Sequence, residues 1–238
     1  MFVSGVRRFL TTLLLVGAVA TLAVSFAIGL IPPPLAPPDL SAPTDSLTGR
    51  RLALLARDPS LCTAVLRASG PAHSQVPSLS NGQCGYSNAV RLKPKAITLT
   101  PSNPPLSCPL AAATHLWLRD VVEPAAQAHF GARLVAVDHL GSYACRNMYG
   151  RAEGRLSEHA HANALDVAGF RLSDGRRITL LRHWNGTAAE RAFLREVRDG
   201  ACGLYGTTLS PDYNEAHRDH FHLDMAVRAG GWFGGLCR

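Results

Sequence analysis

No Cys-x-x-Cys pair occurs in this chain, and none of its six cysteines lies in either of its two histidine-rich stretches. That argues against a cysteine-built structural zinc site, which normally closes all four positions. There is also no module that combines basic and aromatic residues in the manner of a nucleic-acid binder, so nucleic acid is not an expected partner. The chain is short of acid, with 17 Asp and Glu against 24 Lys and Arg, a formal charge of +7. Such a surface favours anionic partners such as acidic polymers and lipid head groups. The cysteines are Cys62, Cys84, Cys108, Cys145, Cys202 and Cys237. Their even number implies a disulfide framework in an oxidising compartment. Sequential pairing, Cys62 with Cys84, Cys108 with Cys145 and Cys202 with Cys237, is the working expectation.

The N-terminus reads as targeting. Arg7 and Arg8 precede an uncharged, mostly apolar run of 23 residues from Phe9 to Ile31. A helix of that length spans a hydrocarbon core of roughly 30 Å. Ala18-Val19-Ala20 resembles a cleavage site, but the run continues past it, so an uncleaved signal anchor over residues 1–31 is expected. The two arginines would keep the N-terminus in the cytoplasm and place the rest in the periplasm, as a single-pass inner-membrane protein. Six prolines between Pro32 and Pro43 make residues 32–46 a semi-rigid linker. The remaining 192 residues, 47–238, are enough for one domain.

Within that domain the pattern mixes helices with hairpin strands. Leu47 to Leu66 has helical apolar spacing interrupted by Pro59, and Leu110 to Phe130 has it with a break or kink at Pro124. Leu134 to Tyr143 reads as a strand. Leu165 to Leu172, the turn at Asp174-Gly175 and Ile178 to Leu181 read as a hairpin. Thr187 to Gly200 reads as a helix opened by a capping box with Glu190. The class is therefore α+β, an antiparallel sheet with flanking helices.

The chemistry sits in Ser157-Glu158-His159-Ala160-His161-Ala162-Asn163-Ala164-Leu165-Asp166 and His217-Arg218-Asp219-His220-Phe221-His222, which hold five of the ten histidines. Imidazoles grouped with a carboxylate are the composition of a divalent-metal site, most plausibly zinc. On one helix His159 and Asp166 would stand roughly 10 Å apart along the axis. A zinc ligand must approach to about 2 Å, so the segment should be a loop returning into a strand. His220 and His222 would share one face of a strand, one ligating and the other touching water or substrate. A His, Asp, His set leaves an open fourth position, which favours a catalytic site.

These residues carry a family resemblance. The first stretch resembles the S-x-H-x-x-G-x-A-x-D motif of zinc peptidases related to lysostaphin, D-alanyl-D-alanine carboxypeptidases and the hedgehog-like fold, with Ala162 in place of the usual Gly. The second resembles the H-x-x-H-x-H of murein endopeptidases. The segment from about Leu52 to Arg238 is similar to the bacterial extensin-like C-terminal domain family. Its marks are Gly141 to Asn147, Leu156 to His159, Ala162 to Val167 and Asp212 to Asp224. The resemblance implies a zinc peptidase-type domain in which His159, Asp166 and His222 hold Zn2+. It implies that His220 is the general base or the group that stabilises the oxyanion, that His217 supports or shares that role, and that Arg146 is aimed at a substrate carbonyl or carboxylate. The implied substrate is peptidoglycan or another anionic envelope polymer. The rival expectation is a non-catalytic module that binds such a polymer around a structural zinc.

Overall fold

The computed structural model describes residues 11–21, 36–93, 96–227 and 235–238. It divides into two units, Met1–Ala36 and Pro37–Arg238. In the first, residues 11–21 are helical. No helix among the described residues is long and apolar enough to cross a membrane. That overturns the expected transmembrane helix, and with it the single-pass inner-membrane placement. The described helix rises only about 16 Å, against a core of roughly 30 Å. Residues 9–10 and 22–31 of the expected run lie outside the described residues.

The second unit starts with a segment docked on it. Leu40 is fully buried. Arg119 donates to the carbonyls of Leu40 and Ala42, and Thr44 N donates to Asp120. Two helices follow, α1 (Thr48–Arg57) and α2 (Pro59–Ser69). The sequence pattern suggests one helix here, but Asp58 divides it. Its backbone is extended and its carboxylate accepts from the amides of Ser60 and Leu61, so it ends α1 and caps α2 at Pro59.

Short strands come next: β1 (His73–Gln75), β2 (Leu79–Asn81), β3 (Cys84–Tyr86), β4 (Ala89–Leu92), β5 (Thr98–Thr100) and β6 (Leu106–Ser107). Then α3 (Cys108–Trp117) continues through a π turn at Leu118–Val122 into α4 (Glu123–Phe130). Pro124 does not break the helix, because it follows directly on the π turn at Leu118–Val122, where the hydrogen-bond ladder is already shifted and its missing N–H is accommodated.

The remaining elements are β7 (Leu134–Gly141), β8 (Ala164–Leu172), β9 (Arg177–Thr179), the short helix α5 (Leu180–His183), α6 (Ala188–Cys202), β10 (Thr207–Leu209), β11 (Phe221–Asp224) and β12 (Leu236–Cys237). The capping box at the start of α6 forms as its sequence implies, with Thr187 and Glu190 bonded reciprocally. The hairpin turns at Gly175, whose φ of 90° suits only glycine well. Its return strand is shorter than the pattern suggests, because Leu180 already begins α5.

The main sheet runs β12-β10-β11-β8-β7-β5, with β9 also on β8. It is mixed rather than antiparallel, since β5 pairs parallel with β7 and β12 parallel with β10. The central strand β8 has β7 along one edge, and β11 then β9 along the other. Its alternation divides the two faces. Leu165 and Val167 on β8, and Phe221 and Leu223 on β11, are fully buried in the core. Asp166 and His222 face the other way.

The core packs Trp117 against Phe170, and Phe170 against Phe193, with the indole N–H of Trp117 donating to Val197 O. Three disulfides close, Cys62–Cys108, Cys84–Cys145 and Cys202–Cys237. Sequential pairing thus holds only for the last. The first two interleave, because α2 packs on α3 and the β2–β3 hairpin reaches the segment after β7.

Phe170 is fully buried at the centre of this ring cluster. Phe170→Ala is expected to cost about 3–5 kcal/mol, read as a lower denaturant midpoint in equilibrium unfolding.

Candidate metal centre

The segment that carries His159 is a loop returning into a strand. Ser157 opens it as an N-cap, its hydroxyl accepting from His159 N, and Glu158–His161 form one 3-10 turn. Ala162 then turns the chain with φ 51°, a left-handed conformation that favours glycine. Two residues later the chain enters β8. On the neighbouring strand His222 sits directly opposite Asp166 in the antiparallel register. Backbone pairing alone therefore brings two of the candidate ligands together, and the turn lowers His159 onto them.

The three donor atoms converge. His159 Nε2 lies 3.1 Å from Asp166 Oδ2, His222 Nδ1 lies 2.9 Å from Asp166 Oδ1, and the two ring nitrogens are 3.2 Å apart. Four ligands held tetrahedrally at about 2.1 Å would stand about 3.4 Å from one another, so the separations fit a small divalent cation. The outer ring nitrogens are also committed. His159 Nδ1 donates to the Ser142 carbonyl at 3.3 Å, and His222 Nε2 donates to Asp224 Oδ2 at 3.1 Å. Those bonds leave His159 Nε2 and His222 Nδ1 facing the centre. Asp224 is buried, and its other oxygen accepts from Ala226 N.

The sequence reading did not single out Asp224. Its signal was present, since on a strand a residue two after His222 shares its face.

His220 lies just before β11, with Nε2 3.6 Å from Asp166 Oδ1 and Nδ1 donating to Asp219 at 2.8 Å. His217 is buried, and its Nδ1 donates to Asn214 Oδ1 at 2.7 Å. Its ring lies 5.2 Å from that of His220 and 5.9 Å from that of His222. Arg146 is exposed and lines the same open cleft as Asp166, His217, His220 and His222. The structure thus brings all six sequence-selected residues to one place. His161 is left out, facing away to bond Gly85 O. His129 pairs with Glu196 elsewhere.

The electrostatics follow from this packing. Burial opposes the charge on Asp166, but bonds from His159 and His222 outweigh it and hold the carboxyl far below the usual range. Burial likewise opposes the charge on His222, but the carboxylates of Asp166 and Asp224 on either side outweigh it and raise the group to about 9. His217 is pushed down to about 4, first by burial and then by His220 and His222.

Against known proteins, the family model described as Extensin-like protein C-terminus matches residues 60–238. No curated protein matches and no solved structure matches. The zinc peptidase fold implied by the resemblance is therefore not shown, and the architecture stands as α+β with a mixed sheet.

His217 and His222, shifted in opposite directions, give the metal-free protein a defined pH dependence. His222 binds its proton more tightly folded than unfolded, so its contribution is complete below about pH 6.5 and is lost as pH rises through about 9. His217 binds its proton less tightly when folded, so its penalty appears as pH falls from about 6.5 towards 4. Chelated protein should unfold at its highest temperature near pH 6.5. His222→Gln should flatten the alkaline side of that curve, read by calorimetry across pH.

Proposed function

The chain belongs to the extensin-like protein C-terminus family, and we propose that it is a zinc-dependent peptidase acting on peptide bonds of peptidoglycan. The observation that carries this reading is the convergence of His159, Asp166 and His222 within 4.8 Å of one another, at the floor of a cleft shared with His220 and Arg146. Those three residues would hold the ion. When bound, zinc supplies Lewis acidity toward a carbonyl and makes water acidic enough to react near neutral pH.

The protein's own groups supply the rest. His220, oriented by Asp219 through Nδ1, presents Nε2 to the cleft and takes the proton from the attacking water. Its bond to Asp219 then steadies the imidazolium, and the proton is delivered to the leaving amine. Arg146 has a guanidinium that stays charged and forks two donors, so it meets the negative charge that develops on the carbonyl oxygen. His217, bonded to Asn214 and with its ring tilted against that of His220, keeps the His220 ring from turning away. The three disulfides suit an oxidising compartment, where a cell-wall polymer is met.

The test is to incubate the full chain with purified peptidoglycan, with zinc or with a chelator, and to weigh the released fragments by mass spectrometry. Chelator-sensitive release of peptide fragments is the expected result. Binding without release across several wall chemistries would overturn the peptidase reading. His222→Ala is expected to lose both metal and activity. His220→Ala should keep the metal and lose roughly 10²–10⁴ in rate, as removal of a proton-transfer group does. Asp224→Ala should weaken zinc binding by about 10–100-fold through loss of the bond that aims His222, measured by competition with a chromophoric chelator.

A further inference from the structure

One wall of the cleft is a short arm, residues 145–157, between β7 and the turn that carries His159. It is held to itself and at both ends. Cys145 is bonded to Cys84 on β3. Asn147 bridges Leu156, Met148 N donates to Arg155 O, and Ser157 N donates to Arg146 O. Asn147 Nδ2 donates to the carbonyls of Arg151 and Ala152, which closes the arm across its middle. Arg146, Met148, Tyr149 and Arg155 from this arm line the cleft.

The tip of the arm breaks a conformational rule. Tyr149 has φ 58° and ψ 19°, and Gly150 follows with φ 67°. Two successive left-handed residues suit Asn-Gly or Gly-Gly, and a bulky aromatic at the first position is strained. Packing does not explain its presence. Tyr149 is 50% exposed and the adjacent Met148 is 39% exposed. The ring contact that Tyr149 makes is with the Arg151 guanidinium, 5.8 Å from its centroid. A strained residue that contributes little to the core is a candidate for a role in binding.

The charge around the ring is unbalanced. The arm carries Arg146, Arg151 and Arg155 against Glu153 alone. Arg155 shares Glu158 at 3.4 Å, while among the described residues neither Arg146 nor Arg151 has a carboxylate partner. A half-exposed, flat ring beside the uncompensated guanidinium of Arg151 matches a ligand with an apolar ring face and a nearby carboxylate.

We propose that the Tyr149 turn is a docking site for an acidic glycan strand, in which the tyrosine ring takes the apolar face of a sugar and Arg151 takes a carboxylate attached to it. This rests on the reading of the cleft as the place where a wall polymer is processed. It adds that the polymer is recognised by its saccharide as well as by its peptide. Tyr149 is a specificity-determining residue here and takes no part in bond cleavage.

The experiment measures binding of the full chain, in chelator so that nothing is cut, to three insoluble or immobilised polymers. These are peptidoglycan sacculi, a neutral N-acetylglucosamine polymer and polyglutamate, which is acidic without sugar. Wild-type protein should prefer sacculi to both others. Tyr149→Asn should bind sacculi about tenfold more weakly, the scale of losing an exposed aromatic anchor. Its unfolding temperature should equal or exceed that of the wild type, because Asn tolerates the left-handed turn.

Several results overturn the proposal: no preference for sacculi, equal binding by Tyr149→Asn, or a fall in its unfolding temperature that accompanies the lost binding. Cleavage by metal-loaded wild type is assayed alongside. Tyr149-dependent binding without cleavage would leave the docking site standing and remove the peptidase reading. Cleavage with Tyr149-independent binding would do the reverse.

Discussion

The site depends on one register. Asp166 on β8 stands opposite His222 on β11, and the pairing also fixes Phe221 against Val167 and Leu223 against Leu165. Each of those four apolar residues is fully buried. A slip of one residue would turn them all to the polar face and the ligands into the core. The hydrophobic effect that packs one face of this sheet therefore sets the separation of the donors on the other. No dedicated scaffold is needed for the candidate metal centre beyond the core itself, apart from the turn at Glu158–His161 that adds His159.

Much of this was legible because the chemistry imposes spacing. His159 and Asp166 are too far apart on a helix to share an ion, and that argument alone requires the loop-to-strand return that is observed. The same alternation would have found Asp224, had it been extended two residues beyond His222. What was not legible depends on distant chain meeting. The interleaved disulfides Cys62–Cys108 and Cys84–Cys145 follow from how α2 and the β2–β3 hairpin pack, which local pattern does not encode. The parallel edges of the sheet are equally non-local, since β5 and β12 are three and two residues long. Apolarity over residues 9–31 suggested a span, and the described helix is too short to make one.

Carboxylates shape both ends of the chemistry. Asp166 faces the centre, Asp224 holds the far side of His222 and Asp219 holds the far side of His220. Two histidines on consecutive same-face positions are thus each braced by an acid, one deeply buried and one half-exposed. Under the proposed function, that difference would separate a fixed ligand from a group with freedom to exchange protons with solvent. Among the described residues, Ala162 and Tyr149 are the non-glycine residues held in the left-handed conformation, one in the turn that carries His159 and the other on the wall of the cleft.

The Cys84–Cys145 bond has a further consequence for how the molecule matures. The floor of the cleft is assembled by backbone pairing and burial, which need only a folded chain. The wall carrying Arg146 and Tyr149 is tethered at its root by a covalent link that forms only when two thiols lose electrons. The halves of the site are thus completed by different chemistries, one conformational and one oxidative. A newly made chain in reducing surroundings could arrange its histidines while the arm that walls the cleft was still untied.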